Sequence, residues 1–157
     1  MNSSRKGEGL DLFFFQRRIG KVKALQTPVL GKHLIVEMWG QAPHLLNAPD
    51  HVRESLLAAA RRGNLTVISV GVHAFSPRGV TGVLLLTGSH MSIHTWPEYC
   101  YAALDVFTCT GDPWAALDEL KERLRIERVD VQELDRGILR VLPSRAIHPD
   151  WSQKTAV

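Results

Sequence analysis

Residues 65–109 contain four β-rich stretches separated only by short turns, and this feature constrains the fold most. The stretches span residues 65–75, 80–87, 91–95 and 101–109. The run Val83-Leu84-Leu85-Leu86 is apolar at every position, and the last stretch carries apolar side chains at both odd and even positions. Because strand side chains alternate between the two faces of a sheet, such strands need cover on both faces.

Two amphipathic helices are predicted to cover one of these faces. The first has Pro49 in its first turn, Asn47 or a neighbour as its cap, and Gly63 placed to end it in a left-handed conformation. The second begins with Asp112 as cap and Pro113 at its first position. Further strands are predicted at residues 33–38 and 129–134. We therefore expect an α+β two-layer sandwich: a mostly antiparallel sheet, two helices on one face, and a second copy of the chain, in a homodimer, on the other.

The distribution of charge argues against a nucleic-acid-binding protein. The 157 residues include 19 basic and 16 acidic side chains, a net charge of +3. Residues 1–30 account for six of the basic and two of the acidic side chains, so the excess lies outside the expected core domain. We predict three parts: a basic extension over residues 1–30, a domain over 31–136 and a tail over 137–157.

Membrane and secreted proteins are also disfavoured. No apolar run reaches the roughly 18–20 residues that a membrane span needs. The run Leu12–Phe15 is too short for the core of a signal peptide. Two cysteines, Cys100 and Cys109, are too few for a disulfide scaffold. We expect a cytoplasmic protein with reduced thiols.

The densest run of reactive side chains spans residues 88–98. On a strand these divide into two sets, with His90, Ser92 and His94 on one face and Ser89, Met91 and Ile93 on the other. A zinc site at His90 and His94 would suit a helix better than a strand, so no metal is expected. A serine-hydrolase turn would need a glycine two residues after Ser89, and Met91 stands there. Histidines and serines that satisfy one another within a sheet remain the alternative.

Two segments resemble a known family. Residues 88–98 read Gly-Ser-His-Met-Ser-Ile-His-Thr-Trp-Pro-Glu, and residues 105–109 read Asp-Val-Phe-Thr-Cys. They resemble the small prokaryotic S-adenosylmethionine decarboxylases, whose pattern is close to Glu-Ser-His-x-(Ser/Thr)-Ile-His-Thr-Trp-Pro-Glu followed by Asp-x-Phe-Thr-Cys. The opening segment Gly31–Glu37 is similar to that family's first strand, so the resemblance extends over about residues 31–134.

The resemblance implies an inactive precursor that cuts itself. The Ser89 hydroxyl would attack the carbonyl of Gly88, and elimination and hydrolysis would leave a covalent pyruvoyl cofactor where Ser89 stood. The products would be chains of residues 1–88 and 89–157. His94 matches the family's processing histidine, the base in the elimination step. Thr81 stands where the family usually has a serine that supports processing.

The resemblance also implies how the small-molecule substrate is handled. The pyruvoyl carbonyl would form a Schiff base with the substrate amine and draw in electrons as CO₂ leaves. Cys109 matches the proton donor, Phe75 the ring that stacks on adenine and Glu98 a position near the ribose, while Glu37 is placed near the site. The expected activity is decarboxylation of S-adenosylmethionine for spermidine biosynthesis.

The sharpest of several departures from the pattern is at residue 88, and it keeps two alternatives open. The family normally has glutamate where this chain has Gly88. The altered pocket could act on L-ornithine or L-arginine with the same chemistry. The chain could instead be an unprocessed homologue that regulates an active copy.

Overall fold

The computed structural model describes residues 29–139 as a six-stranded sheet with helices on one face. In chain order the elements are β1 (Gly31–Gly40), α1 (Pro43–Leu46), α2 (Pro49–Arg62), β2 (Val67–Ala74), β3 (Val80–Leu86), β4 (Ser89–Trp96), a 3₁₀ turn (Pro97–Tyr99), β5 (Tyr101–Thr108), α3 (Pro113–Leu124) and β6 (Ile126–Arg136). The strand order is β2-β3-β4-β5-β1-β6, and each neighbouring pair is antiparallel. The predicted α+β sandwich is therefore confirmed. Most of the predicted extension and tail lies outside the described residues.

The hydrophobic core lies between the sheet and the helices. Every second residue of the central strands is buried against apolar side chains of α2 and α3. The largest fully buried side chains are Leu34, Met38, Leu46, Leu56, Leu84, Leu86, Met91, Ile93, Leu104, Leu117, Leu120 and Leu124. Within residues 29–139, no helix is long and apolar enough to cross a membrane.

The other side of the sheet, here called the open face, has no cover from residues 29–139. It is formed by the strand residues that alternate with the core, among them His33, Ile35, Glu37, Trp39, Thr81, Val83, Leu85, His90, Ser92, His94, Trp96, Tyr101, Ala103, Asp105 and Phe107. Leu84 and Leu86 are at most 1% exposed, whereas Val83 is 41% and Leu85 49% exposed. The apolar run of β3 is thus buried on one side only.

The structure confirms the predicted cap at Asp112 and places the other cap at the neighbour of Asn47. The Asp112 carboxylate accepts hydrogen bonds from the backbone N–H groups of Trp114 and Ala115, at 2.9 and 3.1 Å, as predicted. The cap position of α2 is Ala48, which offers no side-chain hydrogen bond. The Asn47 amide oxygen instead accepts from the backbone N–H of Gly79 at 3.0 Å. Asn47 therefore ties the helical layer to the start of β3.

The predicted left-handed ending at Gly63 is wrong. Gly63 has a φ of −77°, and the left-handed residue is Asn64, with a φ of 54°. A Cβ atom on Gly63 would lie 2.7 Å from the Asp112 carbonyl oxygen. The backbone N–H of Asp112 also donates to the Gly63 carbonyl at 2.9 Å. Glycine is needed here because α2 and the start of α3 approach each other closely.

The outer strands are longer than the predicted segments. β1 and β6 pair along Gly31–Gly40 and Ile126–Arg136, beyond the predicted residues 33–38 and 129–134. β6 lies at the edge of the sheet and exposes most of its residues, many of which are charged. Its sequence therefore lacks the apolar alternation that would predict the full length of the strand. The short helix α1 was not predicted.

We expect Asp112→Ala to lower the free energy of unfolding by about 1 kcal/mol, because two backbone N–H groups of α3 lose their acceptor. Urea unfolding of otherwise identical chains measures this difference. The matched control is Asp118→Ala, in the same helix, which removes an exposed ion pair with Lys121 and should cost about 0.5 kcal/mol or less. Equal losses in the two variants would contradict the capping role.

Candidate active site

The turn between β3 and β4 presents the bond that is predicted to be cleaved. Leu86 pairs with Ser89, so Thr87 and Gly88 form a two-residue turn. Gly88 has a φ of +72°, a left-handed conformation that glycine adopts without strain. A Cβ atom there would meet nothing within 4 Å, so backbone conformation rather than lack of space favours glycine. Ser89 is the first residue of β4, and its hydroxyl donates to the Thr87 carbonyl at 3.4 Å.

Cys109 lies directly against this turn. It follows β5, and the pairing of β4 with β5 brings it beside the start of β4. Its Sγ donates a hydrogen bond to the Gly88 carbonyl oxygen over 3.2 Å. The thiol is exposed. A donor on this oxygen withdraws electron density from the carbonyl and makes its carbon more open to attack.

A cavity of about 200 Å³ adjoins Cys109. Its walls come from the start of β1 and the loop before α3, and the lining residues are Val29, Leu30, Gly31, Lys32, Thr108, Cys109, Thr110, Gly111 and Pro113. A cut before Ser89 would leave the new N-terminus next to this cavity and to the Cys109 thiol. The residues present therefore fit the pyruvoyl group that the resemblance implies.

Thr81 and His94 form a second pair at the other end of the hairpin. They lie opposite each other in the β3–β4 pairing, and both belong to the open face. The Thr81 Oγ1 and His94 Nδ1 atoms are 2.8 Å apart, within hydrogen-bond distance. The sequence analysis gave each residue a part in processing, and the structure brings the two side chains into contact.

His94 and Ser89 are far apart within one chain. Five residues separate them along β4, which corresponds to about 17 Å at ~3.4 Å per strand residue. Their side chains also alternate to opposite faces of the sheet. The structure thus divides the predicted residues into a cleavage group, formed by Gly88, Ser89 and Cys109, and a histidine group at the far end of β4.

Phe75 and Glu98 lie at the same end of the sheet as the histidine group. Phe75 directly follows β2, is 53% exposed and meets the His73 ring edge-on at 4.8 Å. Glu98 lies in the 3₁₀ turn that follows β4 and is exposed. Neither contacts the cleavage group, so the adenine and ribose positions that the resemblance assigns to them belong with His94 rather than with Ser89.

Glu37 has a partner that was not predicted. Its carboxylate accepts a hydrogen bond from the Tyr101 hydroxyl, and the Tyr101 ring packs against Trp39 and Trp96, with centroid distances of 5.6 and 5.4 Å. Burial, and then the hydrogen bond to Glu37, raise the pKa of Tyr101 to about 12. The hydroxyl therefore keeps its proton at neutral pH and holds the carboxylate in place.

His33 is a further histidine that the sequence analysis did not single out. Its Nε2 lies 3.1 Å from an Asp105 oxygen and its Nδ1 lies 2.8 Å from the Arg136 guanidinium. Because a guanidinium can only donate, Nδ1 accepts the hydrogen bond from Arg136. Nε2 therefore carries the ring proton and donates it in a hydrogen bond to the Asp105 carboxylate. The ring lies 6.1 Å from that of His90, one residue beyond Ser89. Only the strand pairing reveals this cluster, since His33 and Asp105 are 72 positions apart. Among residues 29–139, no group of three or more His, Cys, Asp or Glu side chains could hold a metal.

Comparisons with known proteins identify the family. The family model for S-adenosylmethionine decarboxylase matches residues 32–137. An S-adenosylmethionine decarboxylase proenzyme of Methanococcus maripaludis (strain C5) is 45% identical over 114 residues, 71% of this chain and 93% of that protein. One from Pyrococcus abyssi is 45% identical over 111 residues, 69% of this chain and 80% of that protein. The crystal structure of the adenosylmethionine decarboxylase from Aquifex aeolicus superposes with a TM-score of 0.67 at 38% identity and covers 74% of this chain and 98% of that one. The chain belongs to the S-adenosylmethionine decarboxylase family.

Proposed function

We propose that this chain is the precursor of a pyruvoyl-dependent S-adenosylmethionine decarboxylase that acts in spermidine biosynthesis. It cuts itself between Gly88 and Ser89. The observation that carries the proposal is the hydrogen bond from the Cys109 thiol to the carbonyl oxygen of Gly88, the residue that precedes Ser89. The proenzyme names of its relatives agree with a self-cleaving precursor. The cytoplasmic location remains a prediction.

The first step of cleavage converts the peptide bond to an ester. The Ser89 oxygen bonds to the Gly88 carbonyl carbon, the C–N bond breaks, and the hydroxyl proton passes to the Ser89 nitrogen. Negative charge develops on the Gly88 oxygen during the attack. The Cys109 thiol, 3.2 Å away, stabilises that charge. Serine is a weak nucleophile, so the polarised carbonyl is essential to this step.

The second step breaks the ester and creates the pyruvoyl group. A base removes the α-proton of Ser89, the bond from its side-chain oxygen to its β-carbon breaks, and the Gly88 carboxylate leaves. The resulting dehydroalanine tautomerises, takes up one water and releases ammonia. We assign the base to His94, whose imidazole is oriented by Thr81. The pyruvoyl group at residue 89 would supply a carbonyl for the substrate amine and an electron sink for the loss of CO₂.

The remaining residues bind the substrate and return a proton. Cys109 holds the proton that returns to the former α-carbon. The exposed Phe75 ring offers a face on which adenine stacks, an interaction on the order of 1 kcal/mol. The Glu98 carboxylate accepts hydrogen bonds from ribose hydroxyls, and Glu37, oriented by Tyr101, contributes a second fixed carboxylate.

A second copy of the chain completes the site in this proposal. His94 does not reach Ser89 within one chain, because about 17 Å of strand separates them. Two sheets that pack through their open faces about a two-fold axis crossing the strands place the Ser89 end of one copy over the His94 end of the other. A symmetric dimer of this kind contains two equivalent sites, each with residues from both copies.

The open face is suited to burial in such a dimer. It exposes the large apolar side chains Val83, Leu85 and Trp96, and no helix within residues 29–139 covers it. Arg128 and Asp130, two charged residues on this side of the sheet, pair with each other at 2.7 Å. Paired charges cost less to remove from water than isolated ones.

The purified protein should consist of two chains, residues 1–88 and 89–157, in place of a single 17.5 kDa species. Intact mass under denaturing conditions measures this, and phenylhydrazine should label only the C-terminal chain because it carries the pyruvoyl carbonyl. Ser89→Ala is the control and should remain one unlabelled chain. A single unlabelled wild-type species would overturn the proposal in favour of a regulatory homologue.

The cleaved protein should release CO₂ from carboxyl-labelled S-adenosylmethionine and not from L-ornithine or L-arginine. The exposed Phe75 ring provides a platform for adenine that neither amino acid would use. Phe75→Ala should therefore raise the KM for S-adenosylmethionine by roughly fivefold to tenfold. Release of CO₂ from ornithine or arginine alone would contradict the assigned substrate.

Gly88→Ala should speed cleavage by roughly fivefold. A Cβ atom at a φ of +72° strains the uncut turn by about 1 kcal/mol, and opening the peptide bond relieves that strain. The rate at which the two chains appear after synthesis measures the effect. Gly71→Ala is the matched control, since its Cβ would also meet nothing within 4 Å but its φ is not positive. Equal rates for wild-type protein and Gly88→Ala would show that strain at this turn does not limit cleavage.

Co-expression tests the shared site. His94→Ala and Ser89→Ala chains, each expressed alone, should remain uncut. Expressed together in equal amounts with different tags, they should pair at random, so that about half of the His94→Ala chains receive His94 from a partner and are cut. Co-expression without any cleavage would contradict a site shared between two copies.

A further inference from the structure

We propose that Thr95 is a positioning residue for the maturation step, a role that rests on the function proposed above. Its hydroxyl fixes the start of β3 against β4 and α1, and thereby sets the contact between Thr81 and His94. Thr95 is only 6% exposed, and its Oγ1 is hydrogen-bonded as both acceptor and donor. A buried hydroxyl with both roles satisfied can hold two segments at a fixed distance.

The Thr95 hydroxyl links β3 to β4 at the end of the hairpin opposite the turn. The backbone N–H of Val80, the first residue of β3, donates to Thr95 Oγ1 at 2.8 Å. The neighbouring residue on each strand is a member of the maturation pair, because Thr81 follows Val80 and His94 precedes Thr95. A shift of Val80 relative to Thr95 therefore changes the distance between Thr81 Oγ1 and His94 Nδ1 directly.

The same hydroxyl anchors the hairpin to the helical layer. Thr95 Oγ1 donates to the Leu46 carbonyl, at the end of α1, over 2.8 Å. The adjacent Asn47 side chain accepts from the backbone N–H of Gly79, which precedes β3. The end of α1 thus holds two consecutive backbone positions at the start of β3. Leu46 holds Val80 through the Thr95 hydroxyl, and Asn47 holds Gly79 directly. The geometry points to a clamp, formed by Thr95, Leu46 and Asn47. This clamp keeps the Thr81 hydroxyl within hydrogen-bond distance of the His94 ring.

Loss of the clamp should affect the second step of cleavage more than the first. The first step depends on Ser89 and Cys109, which lie at the far end of the hairpin from Thr95. The second step needs a base oriented by Thr81. Displacing an oriented catalytic group by about 1 Å can slow a reaction by roughly a hundredfold. The ester should therefore accumulate when the hydroxyl is removed.

Thr95→Val tests the proposal with little change in volume. We expect a chain that folds, matures at least roughly tenfold more slowly than wild-type protein, and accumulates the ester. Hydroxylamine at neutral pH cleaves an ester but not a peptide bond, so it should release residues 1–88 from the uncut fraction of Thr95→Val and of His94→Ala. It should release nothing from Ser89→Ala. Thr95→Ser keeps the hydroxyl and should mature within about threefold of the wild-type rate.

Two controls separate positioning from general stability. Ser55→Ala removes another fully buried hydroxyl, one that has no hydrogen-bond partner among residues 29–139, and should mature at the wild-type rate. Thr95→Cys is of similar size but bonds weakly, so it replaces Thr95→Val if that variant does not fold. Rates are compared per folded molecule, as judged by circular dichroism.

Three outcomes would decide against the proposal. Maturation of Thr95→Val at the wild-type rate would overturn it. So would slow maturation with no hydroxylamine-sensitive fraction, since that pattern reflects a general loss of structure. If wild-type protein itself never cleaves, the proposed function fails, and the role of Thr95 fails with it.

Discussion

The pairing of Leu86 with Ser89 closes the turn at Gly88, and the geometry of the site follows from that register. The register puts the bond between Gly88 and Ser89, the proposed cleavage site, at one end of the β3–β4 hairpin and pairs Thr81 with His94 at the other. A shift by one residue would move every side chain of β4 to the opposite face and bury the histidines in the core. The alternation of buried Met91 and Ile93 with open-face residues fixes the register because the core accepts only the apolar set.

Under the proposed function, the separation between the two ends of the hairpin makes the open face part of the chemistry. A chain that needs a distant histidine must either bend its sheet or obtain that histidine from another copy, and a continuous antiparallel ladder does not bend by about 17 Å. The same face exposes Val83 and Leu85, which residues 29–139 of one chain leave uncovered. One association would therefore bury the apolar surface and complete two sites. Burial of the apolar side chains and completion of the sites would thus both use the open face.

The sequence predicts the parts of this molecule that local patterns determine. Asp112 and Pro113 define the start of α3, and alternation assigns His90 and His94 to one face, because capping and strand periodicity depend on neighbouring residues alone. The role of Gly63 depends on contact with a helix about fifty positions away, and no local signal distinguishes that use from a left-handed ending. The cluster of His33 with Asp105 is likewise invisible until β1 pairs with β5. The separation of Ser89 from His94, in contrast, follows from the strand itself and was available from the spacing.

Backbone strain at residue 88 and polarisation of its carbonyl group are two ways in which the turn can promote cleavage. A turn with a positive φ at its second residue stores strain when that residue has a side chain, and stores little when it is glycine. In this chain glycine leaves the turn relaxed, so under the proposed function the bond would be activated mainly by the Cys109 thiol on the Gly88 carbonyl oxygen. In that mechanism one thiol would polarise the carbonyl before the cut and hold a proton after it, so maturation and catalysis would depend on the same atom. Loss of Cys109 in this chain should therefore impair cleavage itself and not only the decarboxylation that follows.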